Sequence, residues 1–214
     1  TRGHALLGPV LSPADCASLV QGYEADLYRK RIVMDAHNYG GGEYKYYRYP
    51  LPELVQGLRE ALYVRLLPVA NRWAEALGQE RRYPSTLSEL SALCRAQGQE
   101  RPTPLILRYE RGGYNRLHQD MYGAVHFPLQ VVILLSRPGE DFTGGQIVLT
   151  EQRPRVQARA YVVTPGQGEA LVFASNRRPT AGKRGYVGLT MRHGVSDLAS
   201  GERFTLGIIF HDAE

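Results

Sequence analysis

Apolar positions in the first hundred residues recur mainly at helical spacing, whereas those after Pro104 fall in short, strand-like runs. Cys16, Leu19, Val20, Tyr23 and Leu27 share one helical face, with Ser12 as an N-cap and Pro13 at the first helical position. A second stripe follows Pro52 through Leu54, Val55, Leu58, Leu62 and Leu66. Pro68 is expected to end or kink that helix, and Val69, Trp73 and Leu77 carry the pattern on to Gly78. Thr86 and Glu89 fit a capping box ahead of a third apolar face, Leu87, Leu90, Leu93 and Cys94, which stops by Gly98. Strand-like runs with Gly and Pro between them then cover 105–109, 114–120, 129–135, 146–150, 157–163, 169–173, 186–193 and 203–210. Helices followed by eight short strands predict an α+β domain. Its core is a double-sheet jelly roll (a cupin-like double-stranded β-helix) braced on one outer face by the N-terminal helices. The expected organisation is one domain over 1–214, with 1–103 mainly helical support and 104–214 the jelly-roll core.

Composition adds little to this frame. A chain of 214 residues with 43% hydrophobic content can bury one core. Its 26 basic against 21 acidic side chains give a net charge of +5, a mild bias toward anionic partners. Cys16 and Cys94 are far apart and form no C-x-x-C, so buried free thiols in a reducing compartment, the cytoplasm, are expected. With no run of 18 apolar residues and no secretory pattern at the start of the sequence, no membrane span and no export are expected.

The chemistry concentrates in His118-Gln119-Asp120, His193 and Arg203. Residues i and i+2 of a strand share a face, so His118 and Asp120 on a 114–120 strand reach one ion. His193 ends the 186–193 run, and Arg203 opens 203–210 with Thr205 on its own face. Two histidines and a carboxylate make the facial set that holds non-haem Fe(II) while leaving positions open. A nearby arginine supplies a planar cation for a carboxylate co-substrate. No third histidine stands near either ligand segment, which argues against a zinc enzyme. His211 and Asp212 are adjacent and face opposite ways, and His4, His37 and His126 lack partners at a useful spacing. All four histidines are expected to be structural or surface residues.

Several of these segments resemble the Fe(II)/2-oxoglutarate dioxygenase superfamily: Leu117-His118-Gln119-Asp120, Phe142-Thr143-Gly144-Gly145, Gly168 to Phe173, and His193 with Gly201-Glu202-Arg203. Leu11 to Cys16 is similar to the opening helix of prolyl-4-hydroxylase-like members. Arg101 to Tyr109, Asn115 to Asp120, Gly139 to Gln146 and Arg203 to Ala213 resemble a bacterial oxygenase family grouped with the AlkB-like nucleic-acid repair enzymes. The chain departs from the AlkB pattern after Arg203, where Thr205, Gly207 and Ile209 stand in place of Asn, Thr and Arg. Its His193-to-Arg203 spacing is more like the prolyl-hydroxylase branch. The resemblance implies Fe(II) on His118, Asp120 and His193, with 2-oxoglutarate and O2 as co-substrates. It also implies that Arg203 pairs with the far carboxylate, with Thr205 and Tyr109 as further donors. Related halogenases carry a small residue in place of the carboxylate, so Asp120 implies hydroxylation, or demethylation by hydroxylating an N-methyl group, with succinate and CO2 released.

Two segments are candidates for substrate contact. Residues 39–49 interleave five tyrosines with Lys45 and Arg48 around a glycine run, and Tyr44, Tyr46, Tyr47 and Arg48 either form a lid that stacks on a base or pack on the barrel. Arg177, Arg178, Lys183, Arg184 and Arg192 either follow a phosphate backbone, with Arg184 at the centre, or form a solvated loop. The functions left open are oxidation of alkylated nucleic acid, hydroxylation of a protein side chain or small metabolite, and a cupin-like module that binds without turnover.

Overall fold

The computed structural model describes residues 2–80, 82–153, 155–183 and 185–214. The strands are β1 (His4–Pro9), β2 (Tyr28–Val33), β3 (Gly40–Gly41), β4 (Glu43–Tyr47), β5 (Leu105–Glu110), β6 (Tyr114–His118), β7 (Leu129–Leu134), β8 (Phe142–Gly144), β9 (Ile147–Gln152), β10 (Arg159–Val163), β11 (Glu169–Ala174), β12 (Arg177–Gly182), β13 (Gly185–Val195) and β14 (Leu198–Ile208). The helices are α1 (Pro13–Gln21), α2 (Glu53–Ala76) and α3 (Leu87–Arg95). A larger sheet runs β1-β11-β7-β14-β5-β4-β2, with β8 on β14, and a smaller one runs β10-β9-β13-β6-β3, with β12 on β13. All the strand pairs among the described residues are antiparallel, as a jelly roll requires.

Side-chain parity sorts the larger sheet. Phe204, Leu206 and Ile208 of β14, Ile106 of β5, and Val131 and Ile133 of β7 join Leu62, Trp73 and Leu90 of the helices in the main core. The alternate positions Arg203, Thr205 and Gly207, with Leu105, Leu107 and Tyr109, line the interior of the roll. Ile147 and Leu149 of the smaller sheet meet Leu171 and Phe173 of the larger one at one end of that interior.

The N-cap expected at Ser12 and the capping box expected at Thr86 and Glu89 both form: Ser12 Oγ accepts from the Asp15 amide, and Thr86 Oγ1 accepts from the Glu89 amide. Pro68, expected to end or kink its helix, does not end α2, which continues to Ala76. The carbonyl deprived of a donor belongs to Val64, which is exposed, so water can satisfy it.

The first hundred residues are less helical than their spacing suggested, for β1 to β4 lie there. Leu27 falls outside α1, which gives way to a 3-10 turn at Gly22–Glu24. Of the two readings of 39–49, a lid or tyrosines packed on the barrel, residues 43–47 take the second. Glu43–Tyr47 is an interior strand of the larger sheet, paired with β2 on one side and β5 on the other. Its alternation explains why: Tyr44 and Tyr46 face the interior of the roll, while Tyr47 is buried in the main core.

Candidate metal centre and anion pocket

His118 closes β6, and β13 lies beside it with His193 directly opposite. The expected strand to residue 120 stops at His118, but Asp120 still turns back toward the two rings. Its Oδ2 lies 3.1 Å from His193 Nε2 and its Oδ1 lies 3.6 Å from His118 Nε2. One ligand atom from each of the three residues falls within 4.8 Å of the others. His118 Nδ1 is 2.7 Å from the Arg116 carbonyl, so a proton on Nδ1 donates there and the Nε2 lone pair faces the carboxylate. Burial, then the neighbouring His193, lowers the pKa of His118. For Asp120, burial pushes the pKa up. The His193 hydrogen bond, the two imidazole charges and Gln130 outweigh it and hold the carboxyl far below its usual range. A neutral imidazole and an ionised carboxylate are the ligating forms. This donor set fits a divalent first-row ion such as Fe(II), which shared imidazole and carboxylate ligands suit.

Two residues missed in the sequence, Gln130 and Tyr122, hold the carboxylate in place. Gln130 Nε2 donates to Asp120 Oδ2 at 2.9 Å, and Tyr122 donates to Oδ1 at 2.9 Å. The Tyr122 hydroxyl lies 3.1 Å from that of Tyr46. Gln119, between the ligands, points the other way: its Nε2 approaches the Asn176 carbonyl, Asn176 Oδ1 and the Met191 carbonyl at 3.2, 2.8 and 2.8 Å. A glutamine inside the apolar run of β7 was a legible signal for Gln130. Tyr122 carried none.

Arg203 faces Tyr109 across the β14–β5 pair, and both are 1% exposed. Arg203 Nε and Nη1 are buried without a hydrogen-bond partner, and no carboxylate among the described residues lies within ion-pair distance. Burial lowers its pKa to about 10, which leaves it charged at neutral pH. Burial likewise raises Tyr109 to about 12, against the pull of Arg203. Two glycines make room here. A Cβ on Gly42, at φ +127°, would stand 2.9 Å from Tyr109 Cδ1, and one on Gly145 would stand 3.0 Å from Arg203 Cδ. Arg203, Thr205, Tyr109 and the three potential metal ligands line one cavity of about 610 Å³. A buried cation lacking acceptors beside a metal-competent cluster is suited to receive a chelating acid with a second carboxylate.

Of the expected substrate residues, Tyr44 and Tyr46 line this cavity. Tyr47 does not, being 1% exposed within the helix-facing core, and Arg48 instead pairs with Asp26 at 2.8 Å on the surface. Arg184 lies outside the described residues. Arg178, from the same basic run, is buried in an ion pair with Glu151 at 2.5 Å, so it is closed to phosphate. The mouth is formed instead by Lys30, His37, Asn38, Tyr39, Arg116 and Leu117. The His37 and Tyr39 rings stack at 5.3 Å and 20°, both exposed. Asp120 is the one acidic residue among the described lining of the cavity, against the cations Lys30, Arg116 and Arg203.

Residues 42–213 match the family model Oxygenase-NA, described as oxygenases catalysing oxidative methylation of damaged DNA. The uncharacterized protein Rv2227 of Mycobacterium tuberculosis (strain H37Rv) is 47% identical over 164 residues, 77% of this chain and 70% of that one. Among solved structures, a Pseudomonas putida prolyl-4-hydroxylase matches with a TM-score of 0.57 at 16% identity, covering 100% of this chain and 95% of the other. A 2OG-Fe(II) oxygenase-family oxidoreductase from Burkholderia pseudomallei matches with a TM-score of 0.55 at 17% identity, covering 99% and 87%. At these identities the two structures speak for the fold.

Proposed function

The chain belongs to the Oxygenase-NA family and is an Fe(II)/2-oxoglutarate-dependent dioxygenase, and within it we propose that His118, Asp120 and His193 hold the iron. Arg203, with Thr205 as a second donor and Tyr109 as a phenol donor, binds the far carboxylate of 2-oxoglutarate. Iron and 2-oxoglutarate together supply O2 activation for attack on a C–H bond, with succinate and CO2 as co-products. The chain's own residues provide position. The Arg116 carbonyl orients His118, while Gln130 and Tyr122 fix the Asp120 oxygens. The apolar walls Leu105, Leu107, Val132 and Ile147 keep bulk water from the co-substrate.

The observation that carries this reading is the buried, acceptor-free Arg203 in the same cavity as the His-Asp-His cluster. The substrate class is alkylated nucleic acid. The description of the family supports it, as do the paired rings of His37 and Tyr39 and the cations Lys30 and Arg116 at the mouth. We place the protein in the cytoplasm, where its free, buried Cys16 and Cys94 stay reduced. No helix among the described residues is long and apolar enough to cross a membrane.

The test is succinate formation with Fe(II), 2-oxoglutarate and a panel of methylated oligonucleotides, proline-containing peptides and free amino acids. Asp120→Ala is expected to abolish turnover. Arg203→Met is expected to weaken 2-oxoglutarate binding by about 1.5–3 kcal/mol, roughly tenfold to a hundredfold in Kd. It should also leave the ligand-free fold as stable or more so, since a costly buried charge is removed. An Asp120→Ala enzyme as active as wild type overturns the iron assignment. Stimulation by peptides alone overturns the nucleic-acid assignment.

A further inference from the structure

The chain has five sulfur atoms, in three methionines and two cysteines. Cys16, Cys94 and Met34 are fully buried and Met191 is 1% exposed, whereas Met121 is 47% exposed. Oxidation of sulfur follows access, so Met121 is the one side chain of the five that is open to an oxidant in solution. Exposure alone would leave it an ordinary surface residue. Its contacts do not.

Met121 directly follows Asp120, and its Sδ accepts from Asn176 Nδ2 at 3.0 Å in an exposed hydrogen bond. The other end of the same amide, Asn176 Oδ1, accepts from Gln119 Nε2 at 2.8 Å, and the Asn176 carbonyl lies 3.2 Å from that nitrogen. An asparagine carries its donor and its acceptor on one rigid amide, so the two ends move together. One end holds the sulfur, and the other holds the residue between His118 and Asp120.

A thioether is a weak acceptor. Hydrogen peroxide attacks it through a sulfur lone pair not engaged by Asn176. The O–O bond breaks, an S–O bond forms, and the second oxygen leaves with both protons as water. Sulfur gives up two electrons and peroxide takes them. The product is polar, with an oxygen that is a stronger acceptor than the thioether and a sulfur that is a poorer one. Asn176 Nδ2 is drawn from Sδ toward the new oxygen, and Oδ1 turns away from Gln119 with it.

We propose that Met121 is a site of reversible oxidation by peroxide, and that its sulfoxide weakens metal binding by drawing Asn176 off Gln119. The effect on the metal rests on the reading of His118, Asp120 and His193 as the iron ligands; the placement of the oxygen does not.

The test treats the whole chain, freed of metal, with dilute hydrogen peroxide. Peptide mass spectrometry locates the added oxygen, and a Co(II) titration follows. Met121 is expected to take up oxygen before Met34, Met191 and either cysteine, and Co(II) affinity to fall roughly tenfold. Methionine sulfoxide reductases acting on both epimers should restore it. Met121→Leu keeps the size and has no sulfur to oxidise. Its Co(II) affinity is expected to stay where it starts through the same treatment. Oxygen arriving first on another sulfur overturns the proposal. So does a Met121 sulfoxide that binds Co(II) as tightly as the untreated chain, or a loss of equal size in Met121→Leu. If the untreated chain binds no Co(II), it is the ligand reading that fails, and the order of oxidation then judges the site.

Discussion

Gln119 and His211 show how single side chains set the chemistry without joining it. Gln119 ties the segment carrying two ligands to the Asn176 turn and to Met191, two residues before His193. Gln119→Leu keeps the size and removes these bonds. In the proposed site it should lower Fe(II) or Co(II) affinity by roughly 10- to 100-fold, the usual cost of losing an outer-shell partner. Metal titration followed by the Co(II) visible spectrum reads this directly, and an unchanged spectrum and affinity would remove Gln119 from the positioning role. His211 is buried, and its Nδ1 accepts the Phe127 amide at 3.1 Å. Burial, then the neighbouring His126 and Arg59, pushes its pKa down to about 3. Between that value and the ordinary one near 6.5, the unfolded chain binds a proton that the folded chain refuses. Its contribution is therefore complete above about pH 6.5 and falls as pH drops, by about 1.4 kcal/mol per unit. His211→Asn retains an acceptor but does not titrate. Urea midpoints should show the wild type losing its advantage over this variant between pH 7 and pH 4, and parallel curves would contradict the assignment.

The elements were legible where their pattern is local and obscure where it depends on distant partners. The Ser12 cap, the Thr86–Glu89 capping box and the β5, β7 and β11 strands could be read directly, because caps and short apolar runs are local signals. Strand parity also put Arg203 with Thr205 on a common face; the same argument paired His118 with Asp120, which the chain instead brings together by turning back just beyond the end of β6. β4 was obscure because its five residues include three tyrosines beside a glycine run, and the β5 partner that makes it a strand lies some sixty residues on. The same separation hid Gln130 and Tyr122, whose roles exist only once the roll closes. The glycines before β4 are part of its fit. Gly42→Ala would force a Cβ to 2.9 Å from both the Arg108 carbonyl and Tyr109 Cδ1 at a φ of +127°. It should destabilise the fold by about 1–3 kcal/mol and displace Tyr109, weakening 2-oxoglutarate binding alongside. Denaturant midpoints and co-substrate Kd measured together check this, and a loss in neither would show that the strand relaxes freely.

At the scale of the whole molecule, charge distribution matters more than the net +5. The basic run near Arg178 is partly closed by an internal ion pair, whereas Lys30 and Arg116 are exposed at the cavity mouth and form no ion pair among the described residues. If a nucleic-acid backbone lies there, Lys30→Ala and Arg116→Ala should each weaken oligonucleotide binding about equally across sequences and reduce the salt slope by about 1. Fluorescence anisotropy over a range of salt concentrations measures this, and slopes equal to that of wild type would move the strand elsewhere. The two halves of the proposed co-substrate site also belong to different sheets. His118 and His193 lie on the smaller sheet, while Arg203, Thr205 and Tyr109 lie on the larger one. A dicarboxylate held at both ends therefore spans the sandwich, and the gap between the sheets acts as a gauge of acid length. Selection among 2-oxo acids is thus set by the packing that spaces the two layers, so a core substitution far from any ligand can retune which acid fits.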